Sequence, residues 1–192
     1  MKSVTTRYLM TCAAIGAAAG VLLIPVNFLA FAFTATAPML VAVIVGFWLV
    51  GPVTALALVR RPGAALLTSG VSGVISMASP AGPSAIVTTL MVGAALELGF
   101  LITFYKVWKP WLFYATATAF QLYYLYTAFT FYEMETTSTW TQVLFCTLMM
   151  VSAWAAVWAG LRLAARLADT GVARGLAPRR TVANADTARA DV

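Results

Sequence analysis

The sequence predicts an all-α integral membrane protein: a compact bundle of six transmembrane helices with both termini in the cytoplasm. Three observations predict it. Hydrophobic residues make up 62% of the 192 residues and charged residues only 9%, against about 25% charged in a soluble domain. The apolar runs are long and continuous rather than short and alternating, which selects helices over a closed barrel, the two structures that satisfy their backbone within lipid. Finally, with six spans every one of the twelve lysines and arginines falls on one side of the membrane, the pattern that sets orientation.

The first span is Tyr8 to Ile24, ended near Pro25, too long and too embedded in the pattern to read as a cleaved signal. The uncharged, aromatic stretch Pro25 to Thr36, with Asn27, Phe28, Phe31 and Phe33, then reads as an outer loop: a lid over a site, or a loop resting in the headgroups. The second span is Pro38 to Val59. The third, Gly63 to Ala78, is short and rich in Gly, Ser and Ala, so packing against neighbours must support it. Ser84 to Tyr105, Trp111 to Phe131 and Trp140 to Leu163 complete the set. Trp108, Trp111 and Trp140 stand at helix ends, where amphipathic rings meet the headgroups.

Lys2 and Arg7, Arg60 and Arg61, Lys106 and Lys109, and the six arginines from Arg162 to Arg189 occupy the inner side. One opposite loop carries Glu133 and Glu135. This distribution accounts for the net charge of +6 without nucleic acid as a partner. Residues 1–168 form one transmembrane domain; residues 169–192 read as a cytoplasmic tail, mostly disordered after about Leu176 because they carry no apolar period. In the first span Ala13, Gly16, Ala17 and Gly20 form small-xxx-small pairs, suited either to close packing within the bundle or to docking a partner membrane subunit.

Glu97 is the outstanding residue, because an ionisable group inside a span is expensive and functional by default. It could bind a cationic or amidine-like ligand, or make a helix–helix hydrogen bond near the cytoplasmic interface. Gln121 and Tyr124 lie three residues apart on one face of the fifth span. With the tyrosines around them they suit a flat polar heterocycle or an interfacial aromatic belt. Trp48, near the middle of the second span, serves packing or stacks on a ligand. The candidate binding residues are therefore Glu97, Trp48, Gln121, Tyr124, Asn27 and Phe28. There is no P-loop. Without histidine, and with Cys12 and Cys146 toward opposite faces, neither a metal site nor a disulfide is expected, and no cofactor is implied. No nucleophile–base set is present, so an enzyme is not expected.

At Arg60-Arg61-Pro62-Gly63-Ala64-Ala65-Leu66 the chain resembles the substrate-binding (S) components of energy-coupling factor (ECF) vitamin transporters, of the YkoE type linked to thiamine and its pyrimidine precursor. The resemblance continues through Pro80-Ala81-Gly82-Pro83 and Gly93-Ala94-Ala95-Leu96-Glu97, and returns at Leu167-Ala168-Asp169-Thr170-Gly171-Val172. Gly70 and Ser76 stand where that family has core-facing acids in the third helix. The resemblance implies a subunit of a bacterial cytoplasmic membrane that captures a vitamin-like molecule in an outward-facing pocket. It would then dock on a transmembrane coupling (T) subunit driven by two cytoplasmic ATPases, with the small-residue first helix as the docking face. Another heterocyclic or cationic micronutrient on the same machinery, or a scaffold subunit that binds nothing, are the alternatives.

Overall fold

The computed structural model describes residues 6–132 and 137–170. Among them the chain is helical with no strands, in seven segments: α1 (Thr6–Thr36), α2 (Pro38–Ile44), α3 (Phe47–Val59), α4 (Ala64–Ser76), α5 (Ser84–Ile102), α6 (Pro110–Phe131) and α7 (Thr139–Asp169). Four stretches are long and apolar enough to cross a membrane: Thr6–Thr34, Pro38–Val59, Ser84–Ile102 and Thr139–Asp169. The protein is therefore a multi-pass membrane protein. The other two expected spans are helical, but α4 has only 13 residues and threonines and tyrosines dilute the hydropathy of α6. Glu133, Glu135 and the tail from residue 171 onward lie outside the described residues.

The stretch expected to be a loop after Pro25 is helical. Pro25 lies inside the 31-residue α1. Proline leaves one carbonyl without its donor, a defect that packed membrane helices tolerate. Here the far side is anchored: Val26 and Ala30 are buried, and Asn27 Nδ2 donates to Ser79 Oγ at 2.9 Å, with Ser79 Oγ donating in turn to Ser76 O at 2.6 Å. The last span is also longer than expected, α7 continuing to Asp169. The expected span from Pro38 to Val59 is interrupted at Val45 and Gly46, between α2 and α3. Ser152 of α7 braces the break, accepting from Gly46 N at 3.0 Å and donating to Val43 O at 2.5 Å.

α1 lies against α4, α4 against α5, and α3 against α7. The α1–α4 seam is close because Gly16 and Gly20 face it: a methyl at Gly16 would come within 2.7 Å of the Thr68 carbonyl, and one at Gly20 within 2.8 Å of Ile75 Cβ. The larger core, around Leu49, Val53, Leu56, Leu96, Phe100 and Val157, fills the basic half of the bundle. A smaller one, around Ala42, Val45, Phe145 and Met149, fills the other end, and Trp48 packs against both. Trp111 and Trp140, each second in its helix, are exposed as expected of interfacial rings. Trp108 instead packs on Phe100 at 5.2 Å.

Candidate functional site

Where α3, α5 and α6 converge beside the Val45–Gly46 break, a small cavity opens. Its walls are Val45, Trp48, Leu49, Thr88, Val92, Phe120, Gln121 and Tyr124. Three of the candidate residues, Trp48, Gln121 and Tyr124, are thus brought together. The register of α6 explains two of them: positions 120, 121 and 124 share one helical face, and the Phe120 and Tyr124 rings stack at 6.2 Å with 27° between their planes. Gln121 is 1% exposed, and its Nε2 has no hydrogen-bond partner among the described residues. A buried amide nitrogen left unpaired costs about 1–3 kcal/mol, so such a group calls for an explanation. The free volume is about 10 Å³, room for one water molecule. The site is therefore closed, and a ring can enter only if the walls part. α6, which packs along α5 and α7, is the outer wall.

Glu97 is elsewhere. It is 5% exposed, toward the basic end of α5. Its Oε1 accepts from Ala65 N at 2.8 Å, an N–H of the first turn of α4 that has no intrahelical partner. Its Oε2 accepts from the Tyr105 hydroxyl. Tyr105 reaches it from a turn in which Phe104 and Tyr105 both take left-handed backbone conformations, at φ 51° and 55°. The carboxyl group thus caps α4 from α5 and pins the turn after α5. Both of its oxygens are engaged within the protein.

Asn27 and Phe28 belong to neither place. Asn27 ties α1 to the turn after α4, while Phe28 is 54% exposed on the outer face of α1. Of the small-residue set, Gly16 and Gly20 are buried against α4, and Ala13 and Ala17 are half-buried beside them. The outward face of α1 carries Ala14 and Ala18 instead, which line an apolar groove of about 590 Å³ between α1, α3 and α7, with Arg7 at one end. Cys12 and Cys146 are free thiols, and among the described residues no three His, Cys, Asp or Glu side chains cluster as metal ligands would.

Val45, Leu49, Thr88, Val92 and Phe120 complete the cavity without having been singled out in the sequence. Phe120 is detectable in principle, four residues before Tyr124. Thr88 and Val92 carry no signal beyond helical spacing on α5. Tyr105, the partner of Glu97, is invisible in the sequence, because its reach depends on the two left-handed residues.

The model of the family described as "ABC-type cobalt transport system, permease component" matches residues 7–123. Among solved structures, one described as the crystal structure of an S-component of an ECF transporter superposes with a TM-score of 0.81, at 20% sequence identity, covering 98% of each chain. The two share a fold. No curated protein matches the chain in sequence.

Proposed function

Because the chain belongs to the family of ABC-type cobalt transport system permease components, we propose that it is the membrane-embedded substrate-capture subunit of an ECF-type importer. It is a transport protein rather than an enzyme. In this reading all six rods span the membrane, with both termini cytoplasmic, as the one-sided distribution of lysine and arginine favours. The subunit takes a vitamin-like molecule, thiamine or its pyrimidine precursor, from the outside. It then delivers the cargo by docking on a transmembrane coupling subunit powered by two ATPases. The groove beside Ala14 and Ala18 is the face of α1 left open for that docking, since Gly16 and Gly20 are used within the bundle.

The observation that carries the reading is the unpartnered amide of Gln121 in a cavity walled by Trp48, Phe120 and Tyr124. Its lining is that of a ligand site, mostly apolar with a few placed polar groups, and its volume of about 10 Å³ must widen as the walls part before a ring can enter. Such packing without polar loss would have been met by leucine. Glu97 is read here as a structural cap and not as a ligand contact, because both its oxygens are engaged.

The family's description favours cobalt as a second cargo. Divalent cobalt takes imidazole, thiolate or carboxylate ligands. The whole chain has no histidine, so an organic molecule suits these residues better than a metal ion.

The test is uptake. Cells without their own vitamin uptake, expressing the chain with a coupling subunit and ATPases, are given labelled thiamine, labelled hydroxymethylpyrimidine or cobalt. Accumulation of one of the organic compounds, lost when the ATPases are omitted and cut at least tenfold by Gln121→Leu, is the expected result. If a folded, membrane-inserted chain supports uptake of none of the three, a scaffold role replaces capture.

A further inference from the structure

We propose that the groove between α5 and α6 is a binding site for one anionic phospholipid. An acyl chain lies in the groove, and Lys106 and Lys109 hold the phosphate at the turn between the two helices.

The groove has a volume of about 650 Å³. Five of its lining residues are small: Ala94, Ala95 and Gly99 on α5, and Ala115 and Ala119 on α6. At Gly99 the helices touch, since a methyl there would come within 1.8 Å of Thr116 Cγ2. Bulkier neighbours rise beside the small ones, with Leu98 57% and Tyr123 53% exposed. The hydroxyls of Thr103 and Thr116 are spent on backbone carbonyls of their own helices. The lining therefore offers an acyl chain an apolar trough. On α5 it runs from Met91 to Ile102, a rise of about 16 Å. That is the depth of one leaflet, half of a hydrocarbon core of about 30 Å.

The trough ends where positive charge begins. Thr103 and Trp111 line its last part, and Lys106 and Lys109 lie between them in the chain, both exposed. Among the described residues no ion pair engages either lysine. Glu97 has both oxygens held by Ala65 N and Tyr105, and Asp169 stands at the end of α7. α6 begins at the same place. Lys109 is its N-cap and makes no side-chain capping bond, and the first turn contains no acid. The free N–H groups of that turn add to the positive field. Trp111 supplies an indole N–H at headgroup level. A phosphate diester with no cation of its own complements this end. A zwitterionic headgroup brings a like charge to the two lysines. Each lysine near the surface favours an anionic lipid about fivefold. In the orientation proposed above, this end faces the cytoplasmic leaflet, the one with the negative surface potential. The groove shares no lining residue with the one beside Ala14 and Ala18, so lipid and coupling subunit do not compete for it. Phe120 lines both this groove and the small cavity, so the acyl chain seats against a wall of that cavity.

The test uses the full chain purified in detergent and stripped of lipid. Dioleoylphosphatidylglycerol and dioleoylphosphatidylcholine are titrated separately, and bound lipid is counted by native mass spectrometry. The first phosphatidylglycerol is expected to bind at least tenfold more tightly than phosphatidylcholine. Lys106→Gln combined with Lys109→Gln should cut that preference at least fivefold. Arg162→Gln combined with Arg166→Gln, which removes as much charge from α7, should leave it within twofold. Ala115→Phe combined with Ala119→Phe fills the groove from an exposed face and should weaken phosphatidylglycerol at least fivefold with the lysines intact. Helicity and melting temperature are checked for every variant, and Ala115→Leu replaces the phenylalanine pair if that pair does not fold. Equal loss from the lysine and arginine pairs would reduce the attraction to a diffuse field and overturn the site. Undiminished affinity in the folded, groove-filled variant would show that no acyl chain lies there. Equal binding of the two lipids by the wild type, or saturable binding of neither, would remove anionic recognition altogether.

Discussion

Glu97→Leu is expected to destabilise the folded chain by about 3 kcal/mol or more, because it strands two donors at once. The Ala65 N–H and the Tyr105 hydroxyl both end on this carboxyl group, and a buried donor deprived of its acceptor costs about 1–3 kcal/mol. Neither has a ready substitute. Ala65 lies in the first turn of α4 and is fully buried, and Tyr105 is held in place by its own left-handed turn. Glu97→Gln keeps an acceptor for Ala65 and should lose about 1 kcal/mol. Thermal unfolding of both variants in the same detergent checks the ordering. A leucine variant that melts like the wild type would show that the cap does not hold α4 and α5 together. Ligand affinity in Glu97→Gln should stay within about twofold of wild type, since the cavity lies at the other end of α5.

The second large effect is expected at Gly16. Its ideal Cβ position is 2.7 Å from the Thr68 carbonyl and 2.9 Å from Val71 Cβ, and the first of these is backbone, which cannot rotate away. Overpacking a close seam costs about 1–3 kcal/mol, occasionally more, so Gly16→Leu should reach the upper end by forcing α1 off α4. Ala14→Leu, on the exposed side of the same helix, should leave the melting temperature unchanged but weaken co-purification with a coupling subunit. If Gly16→Leu melts normally and instead loses only the partner, the glycine face serves docking and the assignment of the two faces is reversed.

These variants also mark where the sequence was legible. The apolar runs located the helices, four stretches of which are long and apolar enough to cross a membrane, and the cost of an acid in lipid singled out Glu97. Its destination was not legible, since it depends on a turn 32 residues before it and on two left-handed residues just after α5. Pro25 misled for a physical reason: proline ends helices in water, but here a hydrogen bond from Asn27 to a serine 52 positions away holds the continuation. The Val45–Gly46 break was hidden because its brace, Ser152, comes from the last helix. In the site, the spacing of Gln121 and Tyr124 was readable from one helix alone. Their meeting with Trp48 and Thr88 required the packing of three helices, which no local pattern encodes.

The helices differ greatly in length, and that has a consequence for the lipid around them. α1 and α7 each run for 31 residues, about 46 Å at the rise of an α-helix. α4 has 13, about 20 Å, well below the roughly 30 Å of a hydrocarbon core. α4 is not hidden from lipid: Leu66, Leu67 and Val74 are 38–59% exposed along one side. The protein therefore has no single hydrophobic thickness. If α4 spans, as proposed, acyl chains beside it must shorten or splay to meet it, and each ångström of such mismatch costs a fraction of a kcal/mol.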